Sequence, residues 1–115
     1  MSRRSDFEAI VRRAVDALPP ELQAAVSNVE FVVEEEPPRD EPDLLGLYEG
    51  IPLTERTGGY GFVSPDKITI FRGPLERLAA GNHDVLVEEV QRTVWHELAH
   101  HFGIDDDRLD DLDRY

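Results

Sequence analysis

The stretch from about Asp84 to Phe102 constrains this chain more than any other part of it. At roughly 100° per residue, Leu86, Val87, Val90, Val94, Leu98 and Phe102 fall on one side of a helix, so a long apolar stripe must be buried against a partner layer. On the polar arc the same bookkeeping puts His96 and His100 about 40° apart, with Glu97 at the border between the arcs. Gly103 follows and ends the helix, because glycine accepts the left-handed cap conformation at low cost.

Residues 96–100 read His-Glu-x-x-His. Two imidazoles one turn apart on one face can reach a single zinc ion. A carboxylate beside the metal, rather than on it, can take a proton from water as the water attacks a carbonyl. The bare pentapeptide arises by chance in enough chains to say little alone. Its context says more: a helical pattern of the right phase, a glycine three residues after His100, and the acidic run Asp105-Asp106-Asp107 beyond that turn. His96 and His100 are therefore expected metal ligands, and Glu97 the expected catalytic base.

A chain of 115 residues predicts one domain, residues 1–115, with a core of modest size. Its 40% hydrophobic and 32% charged residues fit a soluble globular protein, and no apolar run approaches the length needed to cross a bilayer. The amino terminus leads into an amphipathic helix and does not resemble a secretory signal. Twenty-five acidic against twelve basic side chains leave a formal charge of −13. That balance disfavours nucleic acid and anionic membranes and favours a basic or neutral partner, although the same charge also serves solubility. The absence of cysteine removes disulfides and thiolate metal ligands and points to the cytoplasm.

Phe7, Ile10, Val11, Ala14, Val15 and Leu18 recur at helical spacing, with Arg4, Arg12, Arg13 and Asp16 opposite. Ser5 and Glu8 have the spacing of a capping box, and Pro19-Pro20 stops this first helix before a short helical turn over residues 21–27. Residues 29–34 predict a strand closed by Pro37-Pro38, with the acidic run at 34–36 read as a solvated strand exit and not as a source of metal carboxylates. Residues 37–59 read as a long structured loop whose Tyr48, Glu49, Thr54, Glu55 and Arg56 are candidates for a cleft wall. Leu44, Leu47 and Ile51 are its expected anchors to the core. Residues 59–63 and 68–72 predict a hairpin joined by Ser64-Pro65-Asp66-Lys67, with an edge at the glycine-rich first strand open to an extended peptide. A short helix around Leu75, Leu78 and Ala79 closes at Gly81-Asn82, and Leu109 and Leu112 predict a terminal helix.

A catalytic zinc usually takes three protein ligands and one water. Asp106 lies six residues after His100 and completes His-Glu-x-x-His-x-x-Gly-x-x-Asp, which makes it the expected third ligand. The alternative is that Asp106 only caps the terminal helix, and Asp105 and Asp107 are neighbours within register error.

The chain resembles the small zincin-like minimal metallopeptidases of bacteria, long known only as a domain of unknown function. The residues that carry the resemblance are Glu36-Pro37-Pro38, Leu45-Gly46-Leu47-Tyr48-Glu49-Gly50, Pro52-Leu53-Thr54-Glu55-Arg56, the stretch from Ile68 to Pro74, and the stretch from His96 to Asp106. The resemblance implies an α+β, minimal zincin-like fold: a small sheet packed on an N-terminal helix and a long active-site helix, with a short C-terminal helix. It also implies a metallopeptidase activity. Measured against larger zincins, the sole methionine is Met1, so no methionine turn supports the site; no glutamate follows the motif, and twelve residues leave no room for a substrate subdomain. The expected function is thus a zinc-dependent metallopeptidase that hydrolyses an extended peptide or protein substrate with one zinc ion. The alternative from another class is a catalytically weak or inactive zincin-fold module for protein binding or regulation, and a third is a structural metal with four protein ligands.

Overall fold

In a computed structural model, residues 3–26, 28–50 and 66–102 are described. The elements in chain order are α1 (Arg3–Asp16), α2 (Pro20–Ala25), β1 (Val29–Glu34), β2 (Gly46–Glu49), β3 (Asp66–Phe71), α3 (Arg72–Ala79) and α4 (His83–His101). Helices and a small sheet segregated in this way make an α+β fold. The strands form one sheet in the order β1-β3-β2. β1 runs parallel to β3, from Val29 opposite Asp66 to Glu34 opposite Phe71. β2 runs antiparallel to β3, from Gly46 opposite Ile70 to Glu49 opposite Lys67.

The central position of β3 explains its composition. With a strand on each side and helices packed on the sheet, Ile68, Thr69, Ile70 and Phe71 are all buried, so the strand reads as a near-continuous apolar run. The core joins Phe7, Ile10, Val11 and Ala14 of α1 to Val33, Ile68 and Ile70 of the sheet, Leu75 of α3, and Val90, Val94 and Leu98 of α4. The apolar stripe of the long helix is therefore where its 3.6-residue period puts it. Leu86, Val87 and Phe102 flank that core half-buried. Asn82 starts α4 by accepting a hydrogen bond from the Val85 N–H at 3.1 Å, which satisfies one of the backbone donors left open at a helix start.

Several local expectations give way to tertiary contacts. α1 begins at Arg3, so Ser5 lies inside its first turn and is not the N-cap. The early start coincides with Arg4, whose guanidinium donates to the Val33 carbonyl and pairs with Glu35, tying the first turn to the exit of β1. The expected loop over residues 37–59 contains β2, whose half-buried Leu47 and Tyr48 belong to the sheet. β3 starts at Asp66, so Asp66 and Lys67 are strand and not turn; the Asp66 N–H donates to the Asn28 carbonyl and so joins β3 to the entry of β1. The other half of the expected hairpin, residues 59–63, lies outside the described residues, while β3 carries β1 along one edge and β2 along the other. Gly73 and Pro74 open α3 and do not merely end the strand, since proline is tolerated in a first helical turn. Gly73 is required there by space: a Cβ would stand 2.7 Å from the Glu35 carbonyl oxygen, which is backbone and cannot swing aside. The terminal helix expected after Gly103, and Thr54, Glu55 and Arg56, also lie outside the described residues.

Candidate metal centre

The last two turns of α4 carry His96, Glu97 and His100, and one ligand atom from each lies within 4.8 Å of the others. The imidazole rings of His96 and His100 have centroids 4.9 Å apart and are inclined at 75°. His100 Nδ1 lies 3.1 Å from Glu97 Oε1, a contact that keeps the carboxylate beside the ring pair. Both histidines are half-buried, whereas Glu97 is only 7% exposed.

Two imidazoles and a carboxylate are a nitrogen and oxygen donor set of the kind zinc accepts. Bonds of about 2.0–2.1 Å to a tetrahedral ion place ligand atoms roughly 3.4 Å apart. Rotation of the imidazoles about their side-chain torsions spans the difference from the present spacing, so these residues fit such an ion. Asp106, expected as the third ligand, and its neighbours Asp105 and Asp107 lie outside the described residues, as does Gly103.

Glu97 is covered by β2. A Cβ built on Gly46 would stand 3.0 Å from Glu97 Cγ and 2.8 Å from Thr93 Cγ2, so only a residue without a side chain lets the strand lie this close to the helix. The Phe71 N–H donates to the Leu45 carbonyl at 2.9 Å. In an antiparallel ladder the groups alternate, so Leu47 and Glu49 turn their backbone bonds toward β3 while Gly46 and Tyr48 turn theirs away from it. Among the described residues no strand lies on that outer side.

The acidic run at the end of β1 is spent elsewhere. Glu35 pairs with Arg72 at 2.9 Å and with Arg4 at 3.1 Å, and Glu36 meets both terminal nitrogens of Arg77 at 2.9 and 3.0 Å. The hydrogen bonds from Arg77 hold the Glu36 carboxyl below its ordinary range. These contacts fasten α1 and α3 to the strand exit, as a solvated ion-pair cluster.

One polar group escaped the sequence reading. His101 is 3% exposed and its Nδ1 lies 2.6 Å from Oδ2 of Asp66, itself 1% exposed; the Tyr48 hydroxyl donates to the same oxygen at 2.7 Å. The helical wheel held a signal for it. His101 falls near Val90, Val94 and Leu98, and a histidine among core positions needs a buried partner.

Among the described residues, no helix is long and apolar enough to cross a membrane. A family model described as zincin-like metallopeptidase matches residues 26–115. No curated protein matches the chain.

Proposed function

Since the chain belongs to the zincin-like metallopeptidase family, we propose that it hydrolyses peptide bonds, with zinc held by His96, His100 and Asp106 and with Glu97 as the catalytic base. The observation that carries this reading is the approach of one ligand atom each from His96, Glu97 and His100 to within 4.8 Å of one another, with Glu97 lying against Gly46 of β2. A zinc ion in such a cluster supplies Lewis acidity, which makes water more acidic and polarises a carbonyl. Glu97 accepts the proton of the attacking water at a carboxylate oxygen. The hydroxide adds to the scissile carbonyl carbon, the carbon–nitrogen bond breaks, and Glu97 returns the proton to the leaving amine.

The substrate in this proposal is an extended peptide. Peptides of this kind bind along a strand edge through main-chain hydrogen bonds, with little demand on sequence. The charge of −13 favours basic or neutral peptides and opposes nucleic acid and anionic membranes as partners. The cytoplasm, with cysteine absent, is the proposed location.

A second reading has its own support. The burial of Glu97 and its contact with His100 also suit a third protein ligand, in a structural site that holds the fold as a binding module. The Glu97→Gln variant separates the two. As a base, Glu97 leaves zinc content near one equivalent when replaced, while cleavage of a mixed peptide library falls by about 10²–10⁴-fold. As a ligand, it takes zinc away with it. A variant that keeps both its zinc and its activity would end the peptidase mechanism.

A further inference from the structure

His100 stands in the last turn of α4, two residues before the capping position Phe102. Last turns are where helices fray, because their final carbonyls have no partners within the helix. Sharing a cation between His96 and His100 requires that this turn keep its helical spacing, since one residue of unwinding swings His100 roughly a quarter turn away. Something must therefore pin the end of α4, and the buried side chain adjacent to His100 is placed to do so.

His101 points into the core, and its Nδ1–H donates to Asp66 Oδ2 at 2.6 Å. Asp66 is the first residue of the central strand, and its own backbone N–H is bonded to the Asn28 carbonyl, so the anchor is attached to the most buried strand of the sheet. The same Oδ2 accepts the Tyr48 hydroxyl at 2.7 Å, and the Tyr48 and His101 rings meet edge to face with centroids 5.8 Å apart. Tyr48 is two residues from Gly46, the residue that lies against Glu97. Gly50 completes the enclosure, since a Cβ there would fall 2.5 Å from Asp66 Oδ1. One carboxylate thus holds both the turn that carries a proposed metal ligand and the strand that borders the proposed base.

We propose that Asp66 and His101 are positioning residues for the metal centre: their buried hydrogen bond, shared with Tyr48, keeps the last turn of α4 in register so that His100 and His96 face one ion, and fixes β2 over Glu97. This rests on the metal reading above. Neither residue touches the metal or the substrate; each acts through an element that does. A hydrogen bond serves where an apolar contact would not, because it has direction and sets the rotation of the helix end as well as its distance from the sheet.

Two substitutions at His101 distinguish positioning from packing by the order of their effects. Asn keeps a donor close to where Nδ1 stands but fills less space. Leu fills the space and carries no donor, leaving Asp66 short of a bond. Zinc dissociation constants are measured by competition with a chromophoric chelator, at a temperature where circular dichroism shows every variant folded. The proposal expects His101→Leu to bind zinc about 10-fold or more weakly than wild type and His101→Asn to recover most of that loss. Tyr48→Phe, which deletes a single hydroxyl at a half-buried position, is expected to weaken zinc binding by about fivefold and serves if His101→Leu does not fold. In wild type without metal, the His101 Nδ1 proton should give a far-downfield proton resonance that Asp66→Asn shifts or removes. Equal zinc affinities in wild type, His101→Leu and Tyr48→Phe, or tighter binding by His101→Leu than by His101→Asn, would overturn the proposal while leaving the metal reading intact. A wild-type protein that binds no zinc would overturn both.

Discussion

Gly46 offers the most direct way to test how β2 is seated on the metal-bearing helix. Replacing it with alanine adds one methyl group whose nearest neighbours would be Thr93 Cγ2 at 2.8 Å, Glu97 Cγ at 3.0 Å and the Thr69 carbonyl oxygen at 3.2 Å. Carbon atoms rest at about 3.5–4.0 Å, so the methyl is roughly 0.7 Å too close to Thr93 and roughly 0.5 Å too close to Glu97. The Thr69 oxygen is backbone of the central strand and gives way least. Overpacking of this kind costs about 1–3 kcal/mol. The relief can also be designed. Thr93→Ser deletes the nearest atom and keeps the hydroxyl, whose bond to the Glu89 carbonyl at 2.8 Å survives. Alone, that change loses one buried methyl group at a cost of about 1 kcal/mol. In the double variant the two changes fit each other, so the sum of the single losses should exceed the measured loss by about 0.5–1.5 kcal/mol. Urea unfolding of the four proteins gives this coupling, with midpoints that move and slopes that stay constant. Strict additivity, or a Gly46→Ala protein as stable as wild type, would refute the close approach of strand and helix.

Other consequences can be checked separately. Leu98→Ala empties a fully buried position on the inner face of α4 and should cost about 2–5 kcal/mol in the same unfolding assay. Asp106→Ala should lower zinc affinity by at least 10-fold if the residue is a ligand, and calorimetry that finds unchanged binding would make it a helix cap. Arg77→Ala should raise the Glu36 carboxyl toward its ordinary value near 4.5, followed by carbon-detected NMR titration of the side chain. Because the folded-state pKa of Glu36 is depressed, its stabilisation is present above the ordinary carboxylate value and is lost as pH falls through the lowered one. Arg77→Ala should therefore leave stability less sensitive to pH at and below about 4.5.

Local pattern made part of this protein legible. The 3.6-residue period from Leu86 to Leu98 needs only one helix to express it, and Val29–Glu34 is so rich in β-branched and aromatic residues that β1 matches its expected bounds. The spacing of His96, Glu97 and His100 becomes geometry as soon as the helix forms. β2 was not legible, because its four residues begin with glycine and owe their extended form to bonds with a strand some twenty residues away. Asp66 read as a turn residue for a similar reason. Its neighbours Ser64 and Pro65 have turn chemistry, whereas its place in the sheet is set by pairing with β1, through the Asn28 carbonyl, and by a histidine 35 positions later. Ser5 shows the same competition at a helix start, where Arg4 reaches β1 and the helix begins two residues before the expected cap. In each case a contact distant in sequence outweighs a preference worth about 1 kcal/mol or less.

If His96 and His100 share one ion, calorimetric titration of zinc into the wild-type protein, beside His96→Ala and His100→Ala, should find one site per chain in wild type and its loss in each variant, with all three proteins folded. A wild type that takes up no zinc, or a variant that still binds one equivalent with undiminished affinity, would contradict the shared site.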